Sequence, residues 1–358
     1  MWQGQFKIVA LRPVSNRMLP RWNIRDSLNI AKWNIARWLP VLLISISAIS
    51  APAQTCMTAG DMDQATAAAL KSTATRFYDM AARGDSASLR QNAIPGLASN
   101  FSGIENAVKD NQANLSGVPG TPRPAYLLKA EGSTPLERAE FLCGVFGAHG
   151  QTQDSAVFII PNLPPGNYGI VILDAASAQG AYTVSFVLQQ LGSQWQLGGF
   201  YAKPAQISGH DGTWFADRAR EYKTKGQLRN SWFYFGEARE LLVPVPFMAT
   251  ATTDKLYDEM QTVKPSDLPP LDLVAGGKTF KVTDLFPVAV ARDFDLVVKY
   301  QSADVSDSGK TFQENMALIK ALLMKFPEFR DAYAGIVVRA VEPSGRDYGS
   351  MMAMKDIK

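Results

Sequence analysis

Between Ala125 and Ile207 the chain takes up a hydrophobic period of two, and this is the feature that most constrains its fold. Apolar runs at 125–131, 138–147, 156–162, 167–175, 181–191 and 194–207 are separated by Pro164-Pro165-Gly166, Ala178-Gln179-Gly180 and Gly192-Ser193. Turns this short join neighbouring antiparallel strands. Ahead of them, 62–92 and 101–115 carry the helical period, with Leu70, Ala74, Phe77 and Ala81 on one face. Helices followed by consecutive hairpin strands predict an α+β chain.

Residues 1–53 read as a leader outside the fold. They hold seven basic residues and one acidic residue, then the apolar run 39–50, then Ala51-Pro52-Ala53. That order predicts a cleaved secretory signal and an exported chain, periplasmic or extracellular. The apolar run is short of the ~20 residues that cross a bilayer as a helix, so no membrane span is expected in the mature chain. Met18 is an alternative start. The whole chain carries a net charge of +3; without the leader it has 29 basic and 32 acidic residues, a net charge of −3. No basic stripe remains for nucleic acid. The two cysteines, Cys56 and Cys143, are expected to pair in an oxidising compartment and to pin the start of the mature chain to the sheet.

The motifs of chemistry are few. Ser308-Gly309-Lys310-Thr311 looks like the end of a phosphate-binding loop, but Asp304 stands where that pattern needs its first glycine. The segment instead predicts a helix start capped by Asp307 or Ser308. The only histidines, His149 and His210, lie beside glycines in expected loops. Two separated histidines make a poor metal site, and no G-x-S-x-G elbow supplies a nucleophile for a triad. No cofactor and no metal are expected.

Helices first, then a run of antiparallel strands closing on 193-SQWQLGGFYAKP-204, resembles the NTF2-like cone fold over residues 62–208. The resemblance implies that the N-terminal helices cover the concave face of a bent sheet. It also implies that such a cone sometimes carries acid–base catalysis, which needs a carboxyl group of raised pKa with a tyrosine or second acid nearby. Asp174 and Tyr182 are the leading candidates, with Tyr78, Glu140 and Tyr168 behind them. The competing reading of Asp174 is a strand-end aspartate facing solvent.

After the strands, 214–225 and 228–242 read as two helices hinged at Gly226. Ala219, Tyr222, Gly226, Ser231, Phe235 and Ala238 resemble one tetratricopeptide unit. No second copy lies at the ~34-residue offset of that family, and a lone unit builds no groove. Its aromatics are therefore expected in the core of a hairpin docked on the preceding sheet domain. Trp214, Phe215, Trp232, Phe233 and Tyr234 nevertheless spread over more than one helix face. Any left exposed would mark a contact surface, and Trp214, Trp232 and Phe233 are the candidates. Residues 264–277 read as a Pro-rich linker. Beyond it lie strands at 278–286, 293–301, 335–342 and 348–357 around a helix at 309–326, whose stripe is Phe312, Met316, Ile319 and Leu323.

The expected division is a signal at 1–53, an NTF2-like domain at 54–208, a helical hairpin at 209–263, a linker at 264–277 and a small α+β domain at 278–358. The expected function is a non-catalytic binding or assembly module of the cell envelope. Its candidate partners are an envelope protein, a second copy of the chain, or a small apolar ligand. The alternative is an isomerase- or hydratase-type enzyme, or a carrier, using the cone cavity.

Overall fold

The computed structural model describes residues 54–358 apart from 146–151, 153, 178–179 and 291–292; the leader and His149 lie outside the described residues. The chain is α+β. It opens with strand β1 (Gln54–Met57) and helices α1 (Gln64–Ala82), α2 (Ser86–Gln91), α3 (Pro95–Ala98) and α4 (Ser102–Leu115). Asp63 starts α1 by accepting a hydrogen bond from the Thr66 amide at 2.8 Å. Leu70, Ala74, Phe77 and Ala81 form its buried face, as their spacing predicts.

Seven strands follow: β2 (Gly120–Pro122), β3 (Tyr126–Ala130), β4 (Leu136–Cys143), β5 (Ala156–Leu163), β6 (Gly166–Ser177), β7 (Gly180–Leu191) and β8 (Gln194–Pro204). Six strands form one sheet in the order β1-β3-β6-β7-β8, with β2 alongside β6. One face of this sheet, with Val171, Leu173, Val184 and Phe186, packs on the four helices. The opposite face, with Leu128, Ile170, Ile172 and Val187, packs on Phe141 and Phe158 of β4 and β5. The sheet is thus covered twice, which is why β6 reads as an unbroken apolar run. The expected disulfide is present. Cys56 on β1 is bonded to Cys143 on β4, so it ties the edge of one sheet to the edge of the other.

The chain then makes the two-stranded ribbon β9 (Gln206–Ile207) and β10 (His210–Asp211), helices α5 (Gly212–Thr224) and α6 (Leu228–Leu242), strand β11 (Met248–Thr250) and helix α7 (Ala251–Gln261). Gly226, with φ at 75°, takes the left-handed turn between α5 and α6 that the sequence predicts there. β11 pairs with β5, so the layered unit draws a strand from beyond the hairpin.

The last block is β12 (Leu271–Ala275), β13 (Lys278–Val290), β14 (Asp293–Gln301), α8 (Ser308–Lys325), β15 (Gly335–Val341) and β16 (Asp347–Ala353). Its five strands lie in sequence order, antiparallel except for the parallel pair β14–β15. Asp307 caps α8 through the Lys310 amide at 2.9 Å.

Three expectations need correction. The span 264–277 contains a strand, because the alternating 271-LDLVA-275 finds the edge of β13. The hairpin does not bury its core on the preceding sheet. Phe215, Tyr222 and Tyr234 join one core with Phe294, Leu296 and Tyr333 of the last block. Phe312 alone of its stripe is exposed, at 46 %, because α8 buries Thr311, Asn315, Leu318 and Leu322 along with Ile319 and Leu323.

Candidate functional site

The joint between the layered unit and α6 gathers the charged groups of interest. Asp174, Thr183 and Lys203 stand side by side on β6, β7 and β8, on the same face of the sheet. They lie at the end of that face. Thr183 and Ser185 are buried there, and the Ser185 hydroxyl donates to the Pro244 carbonyl, just past α6, at 3.5 Å. The Lys203 ammonium donates to the Glu240 carbonyl in the last turn of α6. A cation is favoured there, since a helix ends in unpaired carbonyls.

Burial pulls the Lys203 pKa down, while Glu240 and Glu237 oppose the shift. Glu237 is its counterpart. Burial, reinforced by Glu240, pushes its carboxyl up to about 7, with Lys203 pulling the other way. One turn of α6 therefore presents a group that holds or releases a proton near neutrality. Beside it Arg123 clamps Asp174 in a two-pronged pair, Nε to Oδ2 at 2.8 Å and Nη2 to Oδ1 at 2.5 Å. Both side chains are roughly half exposed, so the pair is a wet one of modest worth.

Asp174 and Tyr182 do not converge. Tyr182 lies opposite Ala175, one residue on from Asp174, and packs with the helix-side core while Asp174 faces the joint. Tyr78 and Tyr168 are spent on the backbone, donating to the Val118 and Pro164 carbonyls at 2.8 Å each. Glu140, raised by burial, sits on β4 in the other sheet. Among the described residues, no group of three or more His, Cys, Asp or Glu stands close enough to hold a metal ion.

The hairpin aromatics centre on Tyr234. Its ring meets Tyr222 at 5.0 Å, Phe215 at 5.2 Å and Phe294 at 5.3 Å. The Tyr222 hydroxyl donates to the Asp331 carbonyl at 2.7 Å, and that of Tyr234 donates to the Ala332 carbonyl. Burial raises the Tyr234 pKa. Trp232 and Phe233, contact candidates only if left exposed, are buried at 2 % and 7 % exposure, as the core reading of the hairpin aromatics expects. The helix that carries them is enclosed by α5, α7 and the C-terminal sheet, so it has no free apolar face.

Trp214 alone of the three candidates stays at the surface, at 37 % exposure. Its ring stacks on His210 at 3.7 Å, with 11° between the planes. Asp211 fixes its place by accepting from the Trp214 amide at 2.9 Å, which caps α5. Sequence reasoning singled out Asp174 and Trp214 but missed Arg123, Lys203 and Glu237. No protein-family model, curated protein or solved structure matches the chain.

Proposed function

We propose that this chain is an exported, non-catalytic binding or assembly module of the cell envelope. What supports that reading most is the interior between the helices and the six-stranded sheet. An enzyme or carrier on a cone-shaped fold needs an open cavity there. In this chain the space is taken by Phe77, Phe186 and Phe200 with Leu70, Leu173 and Leu197, each at most 2 % exposed. Phe186 meets Phe200 at 5.5 Å and Phe77 at 6.1 Å. The isomerase-type alternative also loses its pair, since Asp174 is held by Arg123 and Tyr182 faces the other side of the sheet. Export is supported by the leader and by the Cys56–Cys143 bond, which suits an oxidising compartment.

The test is native mass spectrometry of the exported protein, purified from its own envelope without detergent. The expected spectrum holds the mature polypeptide alone or in protein complexes. A small molecule retained in stoichiometric amount would sink the reading and restore the carrier.

A further inference from the structure

The first strand of the layered unit begins at the residue that signal cleavage would expose. Ala51-Pro52-Ala53 is the small-x-small site, so the bond expected to break joins Ala53 to Gln54. Starts at Met1 and at Met18 give the same mature terminus. That terminus is not loose. Gln54 opens β1 and stands opposite Ala130 of β3. Its side-chain Oε1 accepts a hydrogen bond from the Glu140 amide on β4. Two residues on, Cys56 is bonded to Cys143. Most chain ends fray and are open to trimming, but one held in a ladder and stapled by a disulfide keeps its first residue.

An amino-terminal glutamine carries its own electrophile. Once Ala53 is gone, the freed amine of Gln54 and the amide carbon Cδ are separated only by Cα, Cβ and Cγ. Attack of the amine on Cδ forms an N–Cδ bond and closes a five-membered lactam. The Cδ–Nε2 bond breaks, and Nε2 takes a proton from the amine and leaves as ammonia. No oxidant, cofactor or second substrate is needed. Holding both reacting groups in one residue gives the step a high effective concentration. The fold grips the atom that survives. The Glu140 amide holds Oε1, which becomes the lactam carbonyl, so the link to β4 keeps its acceptor. A backbone N–H on that oxygen also favours the negative charge that gathers there as the amine adds.

We propose that Gln54 is a modification site, closed to pyroglutamate after signal cleavage, so that the mature chain has no free amino terminus. This deepens the export reading above and rests on it. Closure removes the terminal ammonium, so the first residue of β1 enters the ladder uncharged. It also leaves no amine for an aminopeptidase. The chain therefore resists removal from its amino end, at the strand that the disulfide ties to β4.

Intact mass and amino-terminal sequencing of the exported protein, purified from its own envelope, test this. The expected mass is that of residues 54–358 with the disulfide formed, less one ammonia, and sequencing reads nothing. Pyroglutamyl peptidase, applied to the reduced and unfolded chain, then removes one residue and exposes Thr55. Gln54→Glu leaves the cleavage site in place, but its carboxylate is a far poorer electrophile and would have to lose water. That variant is expected to keep an open amine and to read from position 54. A wild-type chain that begins at Gln54 with a free amine and full mass overturns the proposal and leaves cleavage and export standing. So does a Gln54→Glu chain blocked to the same extent. A chain that begins at another residue overturns both the proposal and cleavage between Ala53 and Gln54. The binding or assembly reading falls to none of these results, since a retained small molecule is what sinks it.

Discussion

The six-stranded sheet and the C-terminal sheet are made from similar strands but are covered differently. In the first, 170-IVIL-173 of β6 is at most 2 % exposed along its whole length, with helices on one side and β4–β5 on the other. In the second, 294-FDLVVKY-300 of β14 puts Phe294, Leu296, Val298 and Tyr300 in the core and turns Asp295, Val297 and Lys299 to the far face, where Asp295 and Val297 are still buried while Met351 of β16 is 50 % exposed. An unbroken apolar strand needs two apolar covers, and a strand with charges among its apolar residues needs one.

The largest effect should come from opening the doubly covered core. Phe186→Ala is expected to cost ~3–5 kcal/mol, because the ring is fully enclosed by other large side chains. Val337→Ala on the open face is expected to cost under ~1 kcal/mol. Urea unfolding of the two variants compares them directly. Equal losses would break the contrast and mean that the C-terminal face is covered after all. Next in size is the disulfide. Replacing Cys56 and Cys143 with serine should remove ~2–4 kcal/mol, since the bond closes a loop of 87 residues. Amide exchange should rise in β1, β3 and β4 and leave β14 and β15 unchanged. Uniform loss of protection would show instead that the two sheets unfold as one body.

The strands and helices that locate themselves by local pattern were legible. Helix 228–242 and strand 293–301 are found as their periods predict. The elements missed are those defined by a distant partner. β11 has three residues, in a segment with Pro244 and Pro246, and is a strand because Ala156–Phe158 offers it an edge. β12 hides behind the prolines of 264–270 for the same reason. The site divided in the same way. Asp174 stands out at the end of an apolar run, but Arg123 lies in a Pro-rich loop, and Glu237 sits in 237-EARE-240, which reads as a solvated helix face. Only the arrival of the sheet's end at α6 half-buries Glu237 near Lys203. Trp232 and Phe233 stayed open between core and contact surface because a helix with aromatics on several faces is either exposed or enclosed, and its own sequence does not say which.

The smallest effect tests whether the two regions are coupled at all. Glu237 lies between Lys203 of the first sheet and Tyr333 of the last block, whose pKa it helps to raise. Its folded pKa of about 7 stands above the ordinary 4.5, so the folded chain binds more protons than the unfolded chain between those values. Its contribution to stability is complete below about 4.5 and is lost as pH rises through about 7. Glu237→Gln should match the wild type in acid, gain stability relative to it above neutrality, and flatten the slope between. Lys203→Met should move the window upward, because it removes the charge that favours the ionised carboxyl. Thermal unfolding across this range measures both. If amides on either side of the joint lose protection together as Glu237 ionises, the joint transmits between the two sheets. If only α6 responds, the layered unit and the C-terminal sheet share a chain and a contact but not a transition.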